Sequence, residues 1–179
     1  MDNDTTRTLV VFYSRTGTTK IVAHEIAEAL KCDVEELVDR RPRDGVLGYL
    51  RSMVDMMFER SVDLAPTKLD PAAYDLVIVG TPIWGASVSA PVRTYLAARH
   101  ARIKDVAFFC THGGSGSAST LKELEELCHK APRVSLVLRT AVVQAGDIDI
   151  KIRKFVEGVQ AARRSMPVPG TATPGHAHA

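Results

Sequence analysis

The sequence predicts an α/β domain in which helices cover both faces of a parallel sheet. Short apolar runs rich in β-branched and aromatic residues alternate along the chain with longer segments of helical period, and this alternation is typical of β-α units. Right-handed crossovers between successive parallel strands place helices on both faces of the sheet. Five strands in the order 2-1-3-4-5 are the economical solution, which is a three-layer, doubly wound sheet.

The composition fits one globular domain. The chain has 179 residues, of which 45% are hydrophobic and 25% charged, enough for a substantial core. We predict a domain over residues 1–166 and a disordered tail over residues 167–179. A net charge of +2 gives no reason to expect nucleic-acid binding. Cys32, Cys110 and Cys128 have no metal-ligand spacing.

Two further expectations concern membranes and location. No apolar run approaches the roughly 18 residues that a membrane span needs. The N-terminal residues are acidic and polar, without the charged and apolar regions of a signal peptide. We therefore expect a cytoplasmic protein with no membrane span.

The first predicted strand covers residues 9–13, an apolar run with the composition of a central strand buried on both faces. A helix is predicted over residues 17–31, where apolar residues such as Val22 and Ile26 recur on one face. The short, mixed segment over residues 32–38 is typical of an edge strand.

The remaining elements follow from the same periodicities. A capping box of Thr120 and Glu123 is expected to open one helix, and Pro91 is expected in the first turn of another. The other strands are predicted over residues 74–81, 106–110 and 134–138, and the other helices over residues 46–57, from about Pro91, through residues 121–128 and over residues 147–164.

The turn between the first strand and the first helix has the chemistry of a phosphate site. Ser14, Thr16, Thr18 and Thr19 supply four hydroxyls, and the unpaired N–H groups at the start of the helix point into the same turn. These groups suit a phosphate. The turn has neither a Walker lysine nor a G-x-G-x-x-G pattern, which favours a monoester over a triphosphate. A simple helix cap is the structural alternative.

This turn also resembles a known family. It matches, position for position, the [ST]-x-T-G-x-T loop by which flavodoxins hold the phosphate of flavin mononucleotide (FMN). The resemblance implies a flavodoxin-like fold with FMN as cofactor. The matching residues are Ser14, Arg15, Thr16, Gly17, Thr18 and Thr19.

Two more loops are predicted to meet the first, because ligands of doubly wound sheets collect at the carboxyl ends of the strands where the winding direction reverses. The resemblance implies that these loops hold the flavin ring, with Trp84 stacked on it; a tryptophan packed over its own loop is the alternative. The loop after the third predicted strand contributes Thr81, Pro82, Ile83, Trp84 and Gly85, and the loop after the fourth contributes Thr111, His112, Gly113, Gly114, Ser115 and Gly116.

His112 is the candidate catalytic residue. An imidazole at this position can stack on the ring, hydrogen-bond to its edge or relay a proton. Capping of the following turn is the structural alternative. Cys110, at the end of a strand, is interpreted as a small buried apolar residue rather than a nucleophile.

The resemblance implies a redox protein that passes electrons to or from a partner protein through bound FMN. A second hypothesis is an NAD(P)H-dependent quinone oxidoreductase with a small quinone-like acceptor, in which case the protein would be a homo-oligomer. Arg40, Arg41 and Arg43 then form either a patch for the dinucleotide phosphate or a solvated basic loop. A third hypothesis is a flavin-free module that binds another phosphate ligand.

The charge of the three loops predicts the type of electron transfer. Flavodoxins that act as carriers are acidic, and the negative charges disfavour the reduced flavin anion. The three loops of this chain contain no Asp or Glu, and Arg15 adds a positive charge. We therefore expect a flavin that is better suited to two-electron chemistry, or to a less strongly reducing electron carrier, than the flavin of a strongly reducing flavodoxin.

Overall fold

The computed structural model describes residues 7–40 and 62–165. The predicted helix over residues 46–57, the side chains of Arg41 and Arg43, and the predicted tail over residues 167–179 lie outside the described residues.

The described strands form one mixed sheet. Five of them are parallel in the order β2-β1-β3-β5-β6, and β4 is a short antiparallel partner of β3. The order 2-1-3-4-5 predicted for five parallel strands is confirmed. The fourth and fifth parallel strands are numbered β5 and β6 because the antiparallel strand β4 precedes them in the chain. The strands are β1 (Thr8–Phe12), β2 (Asp33–Glu36), β3 (Leu76–Trp84), β4 (Ser87–Val88), β5 (Val106–His112) and β6 (Ser135–Arg139).

Helices flank this sheet on both sides. Two single turns of 3-10 helix, Pro71–Ala73 and His100–Arg102, lie in the connections. The predicted final helix is preceded by a short one, so that the connection after β6 contains two helices. The helices are α1 (Thr18–Leu30), α2 (Ala90–Arg99), α3 (Ser117–Cys128), α4 (Thr140–Gln144) and α5 (Asp149–Arg164).

Each face of the sheet has its own hydrophobic core. All five residues of β1 are buried, and successive side chains go to opposite cores because the strand period is two. Val10 and Phe12 belong to the core under α1 and α5. Leu9 and Val11 belong to the core under α2 and α3. The first predicted strand is thus a central strand, and its carboxyl end lies between those of β2 and β3.

The ring of Phe109 occupies the space that a side chain at Gly80 would need. The two residues are register partners on β5 and β3, and Phe109 is fully buried. A Cβ atom built on Gly80 would lie 2.0 Å from Cζ of Phe109. Glycine is therefore required here by a close approach in the core rather than by backbone conformation.

The predicted end of the third strand is wrong. Strand β3 does not stop at Thr81; it continues to Trp84 and turns back into β4. Pro82 is tolerated because β1 stops at the level of Gly80, so β3 has a free edge on that side, where a missing N–H leaves no partner unpaired. The residues predicted as a loop therefore form a hairpin.

The predicted capping box is also wrong. Helix α3 begins at Ser117 after Gly116, whose φ of 94° is left-handed, so Thr120 lies inside the helix and donates its hydroxyl hydrogen to the carbonyl of Gly116 at 2.8 Å. The carboxylate of Glu123 does not return to the helix start but binds β4. Glu123 thus accepts hydrogen bonds from distant donors, Ser87 and Val88, and not from a backbone N–H at the start of its own helix.

Candidate functional site

The turn before α1 leaves the start of the helix without a side-chain cap. Gly17 takes a left-handed φ of 86°, which glycine adopts without strain. Helix α1 then begins with Thr18 and Thr19, which are 5% and 1% exposed. The first N–H groups of the helix have no intrahelical acceptors, so this turn can accept an oxyanion.

A cavity of about 110 Å³ lies in front of this turn. Four chain segments contribute to it, each following or ending a parallel strand of the sheet. The lining residues are Arg15, Thr16, Thr18 and Thr19, then Pro82, Ile83 and Trp84, then Thr111, His112 and Gly113, and finally Thr140. The three loops singled out in the sequence therefore meet at one place.

Several predicted site residues do not line this cavity. The hydroxyl of Thr81 is fully buried and is used within the hairpin: it lies 3.0 Å from Oγ of Ser89 and accepts from the Ser89 N–H at 3.1 Å. Gly116 faces Ala86 instead, at the far end of its loop. The residues outside the lining are Ser14, Gly17, Thr81, Gly85, Gly114, Ser115 and Gly116.

Trp84 contacts the segment between β1 and α1. Its ring meets that of Tyr13 edge to face, with centroids 5.8 Å apart and an interplanar angle of 89°. The guanidinium of Arg15 lies 5.8 Å from the centroid of the Trp84 ring, which is a cation-π distance. The tryptophan thus packs against Tyr13 and Arg15, and it lines the same cavity as Thr16.

Two buried polar atoms at the site have no hydrogen-bond partner in the described part of the chain. They are Oγ of Ser14 and Nδ1 of His112. Buried polar atoms are usually paired, and an atom left unpaired costs about 1–3 kcal/mol. A polar ring edge in the cavity would satisfy Nδ1 of His112, which is a lining residue, whereas Ser14 lies outside the lining.

The size of the cavity limits what fits without movement. Pockets for cofactors usually measure about 300–1,000 Å³, and this one is smaller. A flavin ring system therefore requires the rim to open, which means that the guanidinium of Arg15 must leave its position over the Trp84 ring. The residues present fit FMN in chemistry, with a displaced rim.

The electrostatics of the cavity favour an anion. Among the described residues, Arg15 is the cationic residue of the lining, and the lining contains no Asp or Glu. Thr19 and Thr111 share a hydrogen bond of 2.8 Å between their hydroxyl oxygens. This bond joins the first turn of α1 to the carboxyl end of β5. Hydroxyls, helical N–H groups and one guanidinium form a neutral-to-positive cradle for a phosphate monoester.

Thr140 was not predicted from the sequence. It is the first residue of α4 and directly follows β6, so the carboxyl end of the edge strand brings it to the cavity. A hydroxyl residue directly after the last strand was the signal that could have identified it. The sequence predicts a strand that ends at Leu138 and assigns no role to the residues that follow it.

Cys110 does not contribute a nucleophile. Its side chain is fully buried, and burial raises the pKa of its thiol to about 12. The thiol is therefore protonated at neutral pH, where only a thiolate would attack. The interpretation of Cys110 as a buried apolar residue is confirmed.

The structure describes one arginine of the predicted basic patch. Arg40 lies 4.0 Å from a carboxylate oxygen of Asp63, and both side chains are half exposed, so the patch proposed for Arg40, Arg41 and Arg43 stays a prediction.

Among residues 7–40 and 62–165, no helix has the length and apolar character to cross a bilayer.

The flavodoxin family model matches residues 7–139, from just before β1 to the end of β6. Three solved structures have a similar fold. A flavoprotein from Lactobacillus acidophilus NCFM in complex with FMN is 22% identical, covers 84% of this chain and 98% of its own, and has a TM-score of 0.64. A flavodoxin, WrbA-like protein from Agrobacterium tumefaciens is 16% identical, with 90% and 99% covered and a TM-score of 0.59.

The third structure is the apo form of an NADH:FMN oxidoreductase. It is 17% identical, 92% of each chain is covered, and the TM-score is 0.56. At these identities the likeness is one of fold. No curated protein matches the chain at a significant level.

Proposed function

Because the chain belongs to the flavodoxin family, we propose that it binds FMN and transfers electrons to or from a partner through the bound flavin. The observation that carries the proposal is the single cavity that joins the turn before α1 to Trp84 and His112. Support also comes from the similar flavoprotein whose structure contains FMN. When bound, FMN supplies reversible transfer of one or two electrons.

The phosphate is assigned to the turn before α1. Thr16, Thr18 and Thr19 donate hydroxyl hydrogen bonds, the first N–H groups of α1 donate in addition, and Arg15 neutralises charge. Oγ of Ser14, buried without a partner in the described part of the chain, belongs to the same turn but lies outside the cavity lining. These groups hold the cofactor in place and exclude water from its charged end.

The ring is assigned to the space between Trp84 and the loop at His112. Trp84 supplies an aromatic face, and Gly113 lets the backbone approach the ring closely. Nδ1 of His112 is buried without a partner, so it is placed to exchange a hydrogen bond with a polar ring edge. His112 remains the proposed catalytic residue, holding or passing a proton at this atom.

A second candidate function is an NAD(P)H-dependent quinone oxidoreductase, a homo-oligomer with a small quinone-like acceptor. It is favoured by the absence of carboxylates from the part of the cavity lining that the structure describes and by similarity to an NADH:FMN oxidoreductase. Steady consumption of NADH or NADPH with a quinone, without an added reductase, supports this function. Reduction only by an added reductase supports the carrier.

The substitution Thr16→Val tests the phosphate assignment. Thr16 is exposed on the turn and lines the cavity, so the change leaves the core intact. Loss of a hydrogen bond to a charged phosphate is worth about 1.5–3 kcal/mol, and we expect the FMN dissociation constant to rise about 10- to 100-fold. It is measured by titration of flavin fluorescence.

Riboflavin, which lacks the phosphate, is the control for this variant. Its affinity should not change, because Thr16 is assigned to the phosphate alone. An equal loss of affinity for riboflavin and FMN would assign Thr16 to the ring. An unchanged FMN affinity would remove the phosphate from this turn.

The absence of Asp and Glu from the described lining of the cavity predicts a small gap between the two reduction potentials of the flavin. One carboxylate at about 10 Å, with an effective dielectric constant of about 20, changes the energy of the reduced anion by roughly 1.5 kcal/mol, or about 70 mV. We expect the second potential to lie near the first in a stepwise redox titration. A second potential far below the first would contradict this expectation.

Adding a carboxylate tests the same electrostatic argument. Ser115 is exposed on the His112 loop and outside the cavity lining. Ser115→Asp should lower the second potential by tens of mV, with a smaller shift at high salt because exposed charges are screened. Ser115→Asn has the same shape without the charge and should not shift the potential.

A further inference from the structure

The hairpin that carries Trp84 cannot be stable alone. It has two register pairs, Ile83 with Val88 and Trp84 with Ser87, and isolated hairpins are marginal even when longer. Its two-residue turn, Gly85 and Ala86, has positive φ at both positions. A left-handed conformation costs a residue such as Ala86 about 1–2 kcal/mol. Contacts outside the hairpin must hold this turn.

Glu123 of α3 makes two hydrogen bonds to β4. Its Oε2 accepts from the hydroxyl of Ser87 at 2.8 Å and from the N–H of Val88 at 2.9 Å. Its Oε1 accepts from Nε of Arg93 at 3.0 Å. The side chains of Glu123 and Arg93 are 24% and 13% exposed, so these charge-assisted hydrogen bonds are largely shielded from water.

Arg93 completes a closed network. Its Nη2 donates to Oγ of Ser87 at 2.7 Å as well as to the Glu123 carboxylate. Strand β4 is therefore held by α3 through Glu123 and by α2 through Arg93. The exposed pair of Lys122 and Glu126, at 3.7 Å on the same helix, makes no such contact with the hairpin.

The same face of α3 also holds the turn itself. The hydroxyl of Ser119 donates to the carbonyl of Ala86 at 2.8 Å, and Gly116 approaches Ala86 so closely that a Cβ on Gly116 would lie 2.5 Å from its Cα. Positions 116, 119 and 123 are three and four residues apart, which places them on one side of a helix.

Helix α3 therefore connects the two walls of the cavity. It starts directly after the loop that contains His112, and its side chains hold the hairpin that contains Trp84. We propose that Glu123 is a positioning residue that holds Trp84 at the distance from His112 that the flavin ring needs. This proposal rests on the proposed function for the identity of the ring, whereas the placement of Trp84 by Glu123 does not.

The test compares Glu123→Ala with Glu126→Ala, which changes an exposed carboxylate on the same helix. Trp84 is the only tryptophan in the chain, so its fluorescence reports the hairpin directly in flavin-free protein. With Glu123→Ala we expect acrylamide quenching of Trp84 to increase about twofold and riboflavin affinity to fall about tenfold. With Glu126→Ala neither should change.

Glu123→Gln distinguishes positioning from a general loss of stability. Glutamine keeps an oxygen that can accept from Ser87 and Val88 but loses the charge that faces Arg93. We expect quenching and riboflavin affinity between those of wild type and Glu123→Ala, and this variant replaces Glu123→Ala if the alanine variant does not fold. The proposal is overturned if folded Glu123 variants leave both readouts equal to those of Glu126→Ala.

The two hypotheses fail in different ways. If the wild-type protein binds neither riboflavin nor FMN, the proposed function is wrong. Quenching of Trp84 in the flavin-free variants then still decides whether Glu123 holds the hairpin. If flavin binds and Glu123→Ala changes the quenching without changing riboflavin affinity, the role of Glu123 at the ring is overturned.

Discussion

Gly116→Ala is expected to destabilise the fold by about 3 kcal/mol and to weaken FMN binding at least about tenfold. Two costs add. Gly116 has a φ of 94°, and a Cβ there would lie 2.5 Å from Cα and 2.6 Å from Cβ of Ala86. Because the obstacle is backbone, the loop of His112 and the hairpin of Trp84 must move apart. Urea unfolding and flavin titration measure the two effects.

Gly146→Ala is the matched control for this substitution. Gly146 has a similar φ of 80°, but a Cβ there meets nothing within 4 Å. It should therefore show the conformational cost alone, about 1–2 kcal/mol, with unchanged FMN affinity. If Gly116→Ala resembles Gly146→Ala in both measurements, the close contact between the two loops does not maintain the cavity.

Gly80→Ala is expected to be the most destabilising substitution in the sheet, at about 3 kcal/mol or more. The added methyl group would lie 2.0 Å from Cζ and 2.3 Å from Cε1 of Phe109, whose ring is fully buried. The ring must leave its position or the strands must separate. For a chain of this size the melting temperature should fall by about 10 °C, as measured by circular dichroism.

A second substitution should reverse part of this loss. Leucine at position 109 lacks the outer ring atoms that the new methyl group would meet, so Gly80→Ala with Phe109→Leu should be more stable than the sum of the single changes predicts. Gly158→Ala, in α5, is a contrast: its nearest neighbour is the Val134 side chain at 3.1 Å, and we expect a change within about 1 kcal/mol. Additive effects at positions 80 and 109 would contradict the packing argument.

Local patterns were sufficient wherever burial alone decides the structure. The apolar run of β1 and the helical period of α1 predicted both elements to within a few residues, because a strand or helix must present its apolar side chains to a core at its own period. The strand order followed as well, since crossover handedness and the alternation of elements leave few arrangements. The meeting of three loops at one edge was a consequence of that order.

Polar side chains were less predictable, because their partners lie far away in the chain. Glu123 matched a local capping pattern, yet it binds Ser87 and Arg93 across the domain. Thr81 was predicted at the cofactor, yet its hydroxyl pairs with Ser89, the N-cap residue of α2. A hydroxyl or carboxylate satisfies its hydrogen bonds with whichever groups the packed elements bring near, and a local pattern does not contain that information.

The amino-acid order alone was therefore enough to establish the alternation of strands and helices, the parallel sheet and the hydroxyl-rich turn, since each depends on neighbours within about one helical turn or on chain chirality. Packing of the whole domain decided the rest: the extension of β3 into a hairpin, the place of Thr140 at the cavity and the fit of Phe109 against Gly80. These features depend on atoms that are distant in the chain and become neighbours only when both cores close.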